Sequence, residues 1–470
     1  MQYQKEIHEY LKNHKSEMLD LLGKLVTVRS VQGDALEGMP FGTEPAKALG
    51  IMLDACREYG FQTENLDNYA GSADLNSKKP ELGILAHLDV VPEGDGWMHD
   101  PYQITYDPDS DKLFGRGTSD DKGPAVASLF AMRAVHDLQI PMKSGVRLIF
   151  GTNEENGSED LAYYMKNRTL PPMVFTPDGD YPVINLEKGM IRLKLSAEFT
   201  DGTAGILKLD AGDVINAVPA QAGAFVKNIS PETVQQAVHD LQKCYPIEIP
   251  ETEIGFDSDN NIVMISVNGE SAHASTPEKG RNALTFLLEI LNALHLEGQQ
   301  GEIIGKLAEC FLYGETDGKS CGISASDELS GGLTEVLSVM KMNLTEMTAY
   351  VDIRFPVCCT GSEIISTMQK ALAPVNAEAL LCDEPHHTDE NSPFVQTLLN
   401  VYETVTGNKG ECLAIGGGTY VHHIEGGVAF GATFPDTDVH MHGAEEFIKL
   451  EHLMLDAEMM ALAITELCGE

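Results

Sequence analysis

The chain has 470 residues, and its 72 Asp and Glu outnumber its 32 Lys and Arg, so that the formal charge is −40. Nucleic acids and anionic membrane surfaces both bind clustered Lys and Arg, and this balance therefore argues against either as a partner. The hydrophobic fraction of 43% is too high for a disordered chain. Because a single core stops growing at about 250–300 residues, we expect a folded protein of at least two domains.

The cysteine pattern and the apolar runs bear on localisation. Nine cysteines are scattered along the chain without any CxxC spacing, which is typical of reduced core residues. The N-terminal residues are polar and helix-like, and no apolar run reaches the roughly 18 residues of a membrane span. These features predict a cytoplasmic protein that does not insert into a membrane.

The predicted pattern of helices and strands changes at about residue 187. Helical periodicity at 3–29, 45–59 and 124–138 alternates with short apolar runs at 82–86, 146–150 and 173–176, which predicts an α/β sheet with helices on both faces. From 187 onward, strands at 191–199 and 262–267 and helices at 231–244, 282–295 and 361–373 indicate an α+β insertion. We therefore predict one domain made of 1–186 and 383–470, and an inserted domain over 187–382.

The first candidate site residue is His87, which closes the apolar run 82–86. A His at a strand end is either a metal ligand or a satisfied core residue, and the strand before it favours the ligand. Asp89, two residues on, could accept the second ring N–H and fix the tautomer, or it could simply serve the turn. The similar triplet at His387 follows no strand and makes a weaker candidate.

Acidic residues follow the next predicted elements. Asp120 and its neighbour Asp121 lie in a glycine-rich turn that opens a helix, where they could cap the helix or where one could bridge two metals. Glu154 and Glu155 follow the run 146–150. Two adjacent carboxylates repel each other unless a cation holds one, and this leaves the other free to accept a proton. A solvated Glu-Glu loop is the alternative, and we interpret Glu445-Glu446 as such a loop.

Two further candidates complete the set. Asp178 follows the run 173–176, and Asp180 is the alternative candidate there. The Pro-Asp-Gly sequence around Asp178 is also typical of a simple turn. His440 and His442 would face the same way in an extended segment, and only one of them need be a ligand. One His and three acidic clusters at successive strand ends, with a late His, form the donor set that a cocatalytic pair of divalent ions requires.

At this point the sequence resembles the di-zinc aminoacylase and peptidase family that contains carboxypeptidase G and bacterial dipeptidases. The resemblance covers nearly the whole chain. It is closest to the PepV-type dipeptidases. It is carried by motifs in the family's order: His87-Leu-Asp89, Gly115-Arg-Gly-Thr-Ser-Asp120, Glu154-Glu155, Pro177-Asp178-Gly, Ser271-Ala-His273, Asp352-Ile-Arg354, Ile415-Gly-Gly-Gly-Thr-Tyr420 and His442-Gly-Ala-Glu-Glu446.

The resemblance implies a role for each ligand candidate. His87 and Asp178 would hold one divalent ion, Glu155 and His442 the other, and Asp120 would bridge them. The ions would be zinc, with manganese as the alternative. Catalytic roles would fall to Glu154 as the general base, to Asp89 as the residue that orients His87, and to His273 at the oxyanion. The peptide bond between Asp120 and Asp121 would be cis.

The resemblance also implies how substrate is bound. Arg354 would bind the substrate carboxylate, with help from Asn216, Gly417 and Gly418. The alternation around Arg354 leaves a second interpretation open, a surface ion pair with Asp352. The insertion is long enough to resemble the two-lobed lid of a monomeric dipeptidase, which would close over the site.

Together these inferences predict a mixed-sheet di-metal peptidase domain carrying an inserted α+β lid domain. The function would be metal-dependent hydrolysis of small unblocked dipeptides by a metal-activated water, with Glu154 as general base. An N-acyl amino acid hydrolase or a carboxypeptidase on the same scaffold is the first alternative. A non-catalytic binder of metal or peptide is the second, although the chain keeps the base and all five ligand types.

Overall fold

The computed structural model describes residues 1–202, 205–435 and 437–470. The chain divides into two compact units. The first contains Met1–Leu186, His387–Leu413 and Gly418–Glu470, and the second contains Glu187–His386 and Ala414–Gly417. None of the described helices is long and apolar enough to cross a membrane.

The helices lie close to the ranges that periodicity predicts. They are α1 (Gln4–Val26), α2 (Thr43–Glu58), α3 (Lys122–Asp137), α4 (Glu159–Asn167), α5 (Pro231–Cys244), α6 (Ala283–Ala293), α7 (Gly298–Cys310), α8 (Gly361–Leu372), α9 (Pro393–Thr406) and α10 (Leu450–Cys468). Short 3₁₀ turns span Glu154–Asn156, Pro277–Lys279 and Tyr420–His423.

The strands are β1 (Gln62–Leu66), β2 (Ala70–Asp74), β3 (Pro80–His87), β4 (Thr105–Asp107), β5 (Lys112–Phe114), β6 (Gly145–Gly151), β7 (Met173–Thr176), β8 (Val183–Glu187), β9 (Gly189–Glu198), β10 (Ile206–Ala211), β11 (Gln221–Lys227), β12 (Glu251–Asp257), β13 (Ile262–Asn268), β14 (Ser326–Asp327), β15 (Gly331–Gly332), β16 (Thr334–Asn343), β17 (Glu346–Phe355), β18 (Asn376–Asp383), β19 (His386–His387), β20 (Cys412–Ile415), β21 (Val428–Ala429) and β22 (Phe447–Lys449).

The first unit is built on a mixed sheet in the order β1-β2-β6-β3-β7-β21-β8-β19, with β20 paired to β8. Strand β3 runs parallel to both β6 and β7, whereas β1, β2 and β6 pair antiparallel. The inner strand β3 is buried along its second half, which explains its continuous apolar run. Helices α1, α3 and α10 pack against one another. The predicted mixed α/β class is therefore confirmed.

The second unit is built on an antiparallel sheet of eight strands in the order β12-β13-β11-β10-β16-β17-β9-β18. Buried and more exposed positions alternate along β9 and β13, as expected for a sheet with one face on a core. Helix α6 supplies much of that core and contacts β11, β13 and β16.

The division of the chain falls close to the predicted boundaries. The first boundary lies between Leu186 and Glu187, and the second between His386 and His387 rather than at 383. The difference arises because β18 runs to Asp383, which pairs with Met190 of β9. Residues 414–417 also cluster with the second unit, which the sequence pattern did not predict.

Candidate metal centre

The ends of three parallel strands bring most of the candidate ligands together. Strand β3 ends at His87, which is in register with Gly151 at the end of β6, and β7 ends at Thr176 on the other side of β3. Parallel strands present their carboxyl ends at one edge of a sheet. The acidic residues that follow β6 and β7 therefore emerge beside His87, and the turn before α3 adds Asp120.

Asp120 lies at the centre of this group, with one carboxylate oxygen toward each histidine. Its Oδ1 is 2.9 Å from Nε2 of His87, and its Oδ2 is 2.9 Å from Nε2 of His442. Asp178 Oδ2 is 3.7 Å from the same nitrogen of His87, and Glu155 Oε2 is 3.2 Å from that of His442. The five side chains thus form two sets that share the Asp120 carboxylate.

Two groups of side chains have ligand atoms that all lie within 4.8 Å of one another. One consists of His87, Glu154 and Asp178, and the other of His87, Asp120 and Glu155. Glu154 therefore lies within reach of the same centre. Of the two late histidines it is His442 that reaches the group, whereas His440 stacks edge-on against Phe447.

Burial and mutual repulsion shift the carboxyl groups toward protonation. Burial, with the charges of Asp120 and Glu155 adding to it, raises the pKa of Asp178 to about 7. Burial and the neighbouring carboxylates also raise the pKa of Glu154 well above its ordinary value, and that of Glu155 as well. Each shift is the expected result of acidic groups converging in a site with too little positive charge.

Asp120 and the two imidazoles instead favour their charged forms, the pKa of Asp120 being lowered and those of the histidines raised. Burial alone would raise the pKa of Asp120, but hydrogen bonds with His442 and His87 outweigh it and hold that pKa below its usual range. Burial would lower the pKa of His442, yet Asp120 and Glu155 raise it to about 11. The histidines thus supply the positive charge that the carboxylates lack.

The donor set fits divalent cations. Carboxylate oxygens and imidazole nitrogens are ligands for zinc and manganese. Oε1 of Glu155 is buried without a hydrogen-bond partner, and a buried anionic oxygen in this condition is costly unless a cation meets it. Two divalent cations would relieve both this oxygen and the repulsion among the carboxylates.

Asp89 contacts His87 in a way that differs from the simple expectation. Nδ1 of His87 lies 3.0 Å from the main-chain oxygen of Asp89 and 3.5 Å from its carboxylate. The Asp89 carboxylate accepts the main-chain N–H groups of Glu154 and Glu155, at 3.1 and 3.2 Å. One residue therefore fixes the His87 ring and the loop of the two glutamates.

Asp121 fixes the main chain at His87. Its side chain is fully buried, and Oδ2 accepts the main-chain N–H of His87 at 3.0 Å. Burial raises the pKa of this carboxyl well above its ordinary value. The peptide bond between Asp120 and Asp121 is cis, as the resemblance implied.

The interpretation of Glu445-Glu446 as a solvated loop was wrong. Glu446 is fully buried, and its carboxylate accepts N–H groups of Gly117, Ser119 and Asp120 as well as a 2.7 Å bond from Arg116. It thereby fixes the turn that carries Asp120. The signal in the sequence was the presence of Arg116 in that turn, since a buried arginine needs an acidic partner.

Asp160 fixes the loop after β6 in a similar way. Its buried Oδ2 accepts the N–H groups of Thr152 and Asn153, at 2.6 and 2.8 Å, and the hydroxyl of Tyr420. A side chain at Gly151 would collide with that hydroxyl, which explains the glycine. Asp160 and Tyr420 therefore hold the backbone immediately before Glu154, and the sequence pattern did not single out Asp160.

In the second unit, His273 and Asn216 are neighbours. The N–H of Ala274 donates to the main-chain oxygen of Asn216 at 2.9 Å, and Ala217 bridges to His273. His273 is exposed, with Nδ1 2.7 Å from Oγ of Ser275. The structure thus places these two predicted residues together at the surface of their unit.

Arg354 does form an ion pair with Asp352, as the second interpretation had it, but the pair is buried and does not lie at the surface. Arg354 is 3% exposed and Asp352 is fully buried, with Nε of the arginine 2.6 Å from Oδ1. Nη1 of Arg354 also donates to the main-chain oxygen of Gly416 at 2.7 Å. The two opposite charges therefore neutralise each other out of contact with solvent.

The remaining predicted residues lie in the loop between β20 and the 3₁₀ turn at Tyr420. Gly417 is partly buried and belongs to the second unit, whereas Gly418 is exposed and belongs to the first. The division between the units therefore falls inside the glycine run.

A family model and several known proteins match most of this chain. The model of peptidase family M20/M25/M40 matches residues 83–466. The chain is 33% identical over 460 residues to the Beta-Ala-Xaa dipeptidase of Lactobacillus delbrueckii subsp. lactis, covering 96% of each chain. It is 32% identical to the putative dipeptidase YtjP of Bacillus subtilis, covering 92% of each.

A solved structure shows the same fold. Human carnosine dipeptidase 1 matches over 99% of both chains, with a TM-score of 0.61 and 15% sequence identity. The family match spans the described candidate ligands from His87 to His442, and relatives above 30% identity extend over almost the whole chain. The protein therefore belongs to peptidase family M20/M25/M40 and is a hydrolase.

Proposed function

We propose that the chain hydrolyses small unblocked dipeptides and that His87, Asp178, Asp120, Glu155 and His442 hold two divalent ions. The observation that carries this proposal is the Asp120 carboxylate, whose two oxygens lie 2.9 Å from two different imidazoles. A carboxylate shared in this way suits a bridging ligand. Zinc is the expected metal, with manganese as the alternative.

When bound, the two ions would polarise the peptide carbonyl and lower the pKa of water, so that hydroxide is available near neutral pH. Glu154 then accepts the proton of the attacking water and delivers it to the leaving amine nitrogen. Its place beside His87 and Asp178, and the hydrogen bond from its N–H to Asp89, support this role. Asp89 keeps the base and the His87 ring in a fixed arrangement.

For substrate binding we propose roles for His273, Arg354, Asn216 and the glycines at 417 and 418. An arginine has five N–H groups, and those of Arg354 that donate to Asp352 and Gly416 leave two for a substrate carboxylate. His273 is exposed and would meet the developing oxyanion. Both roles rest on the resemblance.

The relatives' names favour a dipeptidase over the alternatives on the same scaffold. A direct test compares dipeptides, tripeptides and acetylated amino acids as substrates of metal-stripped protein reconstituted with zinc or with manganese. We expect dipeptides to be turned over fastest and stripped protein to be inactive. Faster turnover of acetylated amino acids would overturn the dipeptidase assignment in favour of an acylase.

A further inference from the structure

The loop that carries the proposed base is held by two buried carboxylates. The main-chain N–H groups of residues 152–153 both donate to Oδ2 of Asp160, at 2.6 and 2.8 Å. Those of residues 154–155 donate to the two carboxylate oxygens of Asp89, at 3.1 and 3.2 Å. Four consecutive N–H groups of the loop thus donate to two acids, so the position of the loop depends on both of them.

Asp160 is an acceptor whose own position is fixed by the fold. It lies in the first turn of α4, and its side chain is fully buried. Oδ1 accepts the main-chain N–H of Leu161 at 2.6 Å, and Oδ2 accepts the hydroxyl of Tyr420 in addition to the two N–H groups of the loop. A buried carboxylate with this many donors is held in one arrangement, and the loop is held with it.

Tyr420 connects this carboxylate to one of the candidate metal ligands. Its hydroxyl donates to Asp160, and its ring lies edge-on to the imidazole of His87, with the ring centroids 6.2 Å apart. Tyr420 is fully buried, and its hydroxyl packs so closely against the end of β6 that a side chain at Gly151 would collide with it. One side chain therefore contacts both the candidate ligand that ends β3 and the acid that fixes the loop after β6.

A second buried tyrosine in the same apolar cluster differs in what its hydroxyl contacts. Tyr164 is 1% exposed and packs in the cluster that also contains Tyr420. Its hydroxyl accepts a hydrogen bond from Nη1 of Arg147 at 3.4 Å, whereas that of Tyr420 donates to Asp160. Filling the cluster accounts for both rings, but it does not account for the hydrogen bond between Tyr420 and the acid that holds the loop.

We propose that Asp160 and Tyr420 are positioning residues for the general base, an inference that rests on the proposed function of Glu154. Together they hold the loop 152–155 at a fixed place relative to His87, so that the Glu154 carboxylate stays within reach of the proton of the attacking water. They act on the rate through the main chain of the loop. Their contribution can be large, because a misplacement of about 1 Å at a reacting group can cost about 10² in rate.

Two conservative substitutions test the pair by steady-state kinetics on the metal-reconstituted protein. Tyr420→Phe keeps the ring against His87 and removes only the hydroxyl. Asp160→Asn keeps the shape, but its NH₂ group must face one of the donors that the carboxylate accepts. We expect kcat for a dipeptide to fall at least about tenfold in the first variant and about 10²-fold in the second, with KM within about twofold of the parent value. Metal content should equal that of the parent, because the candidate ligands are unchanged.

The matched control is Tyr164→Phe, which removes a buried hydroxyl from the same cluster. Its urea midpoint measures what such a loss does to stability, and its kcat should stay at the parent value. Hydrogen exchange at the amides of Thr152 and Asn153 gives a second readout. Exchange should accelerate in Tyr420→Phe and remain unchanged in Tyr164→Phe, because only the first variant removes a donor from Asp160.

The control also decides between positioning and general destabilisation. An equal loss of kcat in Tyr164→Phe and Tyr420→Phe would assign the effect to stability and overturn the proposal. A rise in KM with kcat unchanged would overturn it as well, because the pair would then act on substrate binding. Tyr420→Phe removes a single hydroxyl, so it remains a complete test if Asp160→Asn does not fold.

Glu154→Gln, assayed beside these variants, separates this inference from the proposed function. If Glu154→Gln is inactive while Asp160→Asn and Tyr420→Phe both turn over at the parent rate, the positioning role is wrong and the assignment of the base stands. If Glu154→Gln keeps the parent kcat, the assignment of the base is wrong and the positioning role fails with it.

Discussion

Glu154-Glu155 and Glu445-Glu446 are the same dipeptide within the same unit, and their surroundings differ. Glu155 has one carboxylate oxygen without a partner and the other 3.2 Å from His442, whereas burial raises the pKa of both Glu155 and Glu446. Glu446 is more deeply buried, yet its carboxylate accepts several main-chain N–H groups and pairs with Arg116.

The difference lies in how completely each carboxylate is satisfied. The hydrogen bonds of Glu446 come from the chain itself, so that it works as a structural anchor for the turn at Asp120. Glu154 and Glu155 lack such partners, which is the condition of side chains arranged to meet something that the chain does not supply. Two Glu-Glu pairs can therefore be told apart by the hydrogen-bond donors that surround their carboxylates.

The largest expected effect on activity comes from a substitution at Glu154. Glu154→Gln removes the proton acceptor while preserving shape, so kcat should fall by a factor of about 10²–10⁴. The two ions should remain, since the proposed ligands are untouched, and metal analysis should give the parent stoichiometry. A variant that loses both activity and metal would show that Glu154 is a ligand and not the base.

Glu446→Gln, in the other Glu-Glu pair, should lower the stability of the fold and loosen the turn that carries Asp120. It leaves the Arg116 guanidinium buried without its anionic partner, which typically costs about 3–5 kcal/mol. Hydrogen exchange at the amides of Gly117 and Ser119 should accelerate, and metal affinity should fall about 10–100-fold because the Asp120 turn is loosened. Unchanged exchange at these amides would contradict the anchoring role.

Only the Glu154-Glu155 side of this contrast could be predicted from the sequence, because apolar runs show where strands end. Apolar runs at 82–86 and 146–150 located β3 and β6, and parallel pairing then brings the residues after them to one edge. The same logic marked Glu154 and Glu155. In the second unit, alternation placed Arg354 and Asp352 on the same face of their strand but did not show that their ion pair is buried, since a buried ion pair and an exposed one have the same sequence pattern.

The anchoring residues were harder to predict because their partners are main-chain groups and distant side chains. Glu446 reaches the turn at Asp120 across more than 300 positions, and Asp160 is joined to Tyr420 across 260. Periodicity reports which face of an element is buried, but not which loop folds back onto it. Such contacts follow from the tertiary fold, so a solvated loop and a buried anchor look alike until the chain is folded.

A third buried carboxylate sharpens the comparison because its partner is neutral. Asp456 is fully buried and accepts the hydroxyl of Tyr181, and its Oδ2 has no partner. Burial raises its pKa from 3.8 to about 8, so between these values the folded state holds a proton that the unfolded state has released. This contribution to stability is complete below pH 3.8 and is lost as the pH rises to about 8.

Asp456→Asn should remove that pH dependence, because the amide is neutral at every pH. The free energy of unfolding of the variant minus that of the parent, measured by chemical denaturation, should increase between pH 5 and pH 8 by up to about 1.4 kcal/mol per pH unit. A difference that stays constant over this range would show that Asp456 is ionised in the folded protein.

The smallest effect is expected at Glu445, the neighbour of the anchor. Its carboxylate accepts N–H groups of Met98 and His99 and lies 2.7 Å from the His99 ring, but that ring is about a third exposed. Interactions this close to solvent contribute about 1 kcal/mol or less. Glu445→Gln keeps one acceptor oxygen, so its melting temperature and metal affinity should stay near those of the parent. If Glu445→Gln destabilised the protein as much as Glu446→Gln, both glutamates would stabilise it through the main-chain N–H groups that they accept. The ion pair between Glu446 and the buried Arg116 would then contribute little.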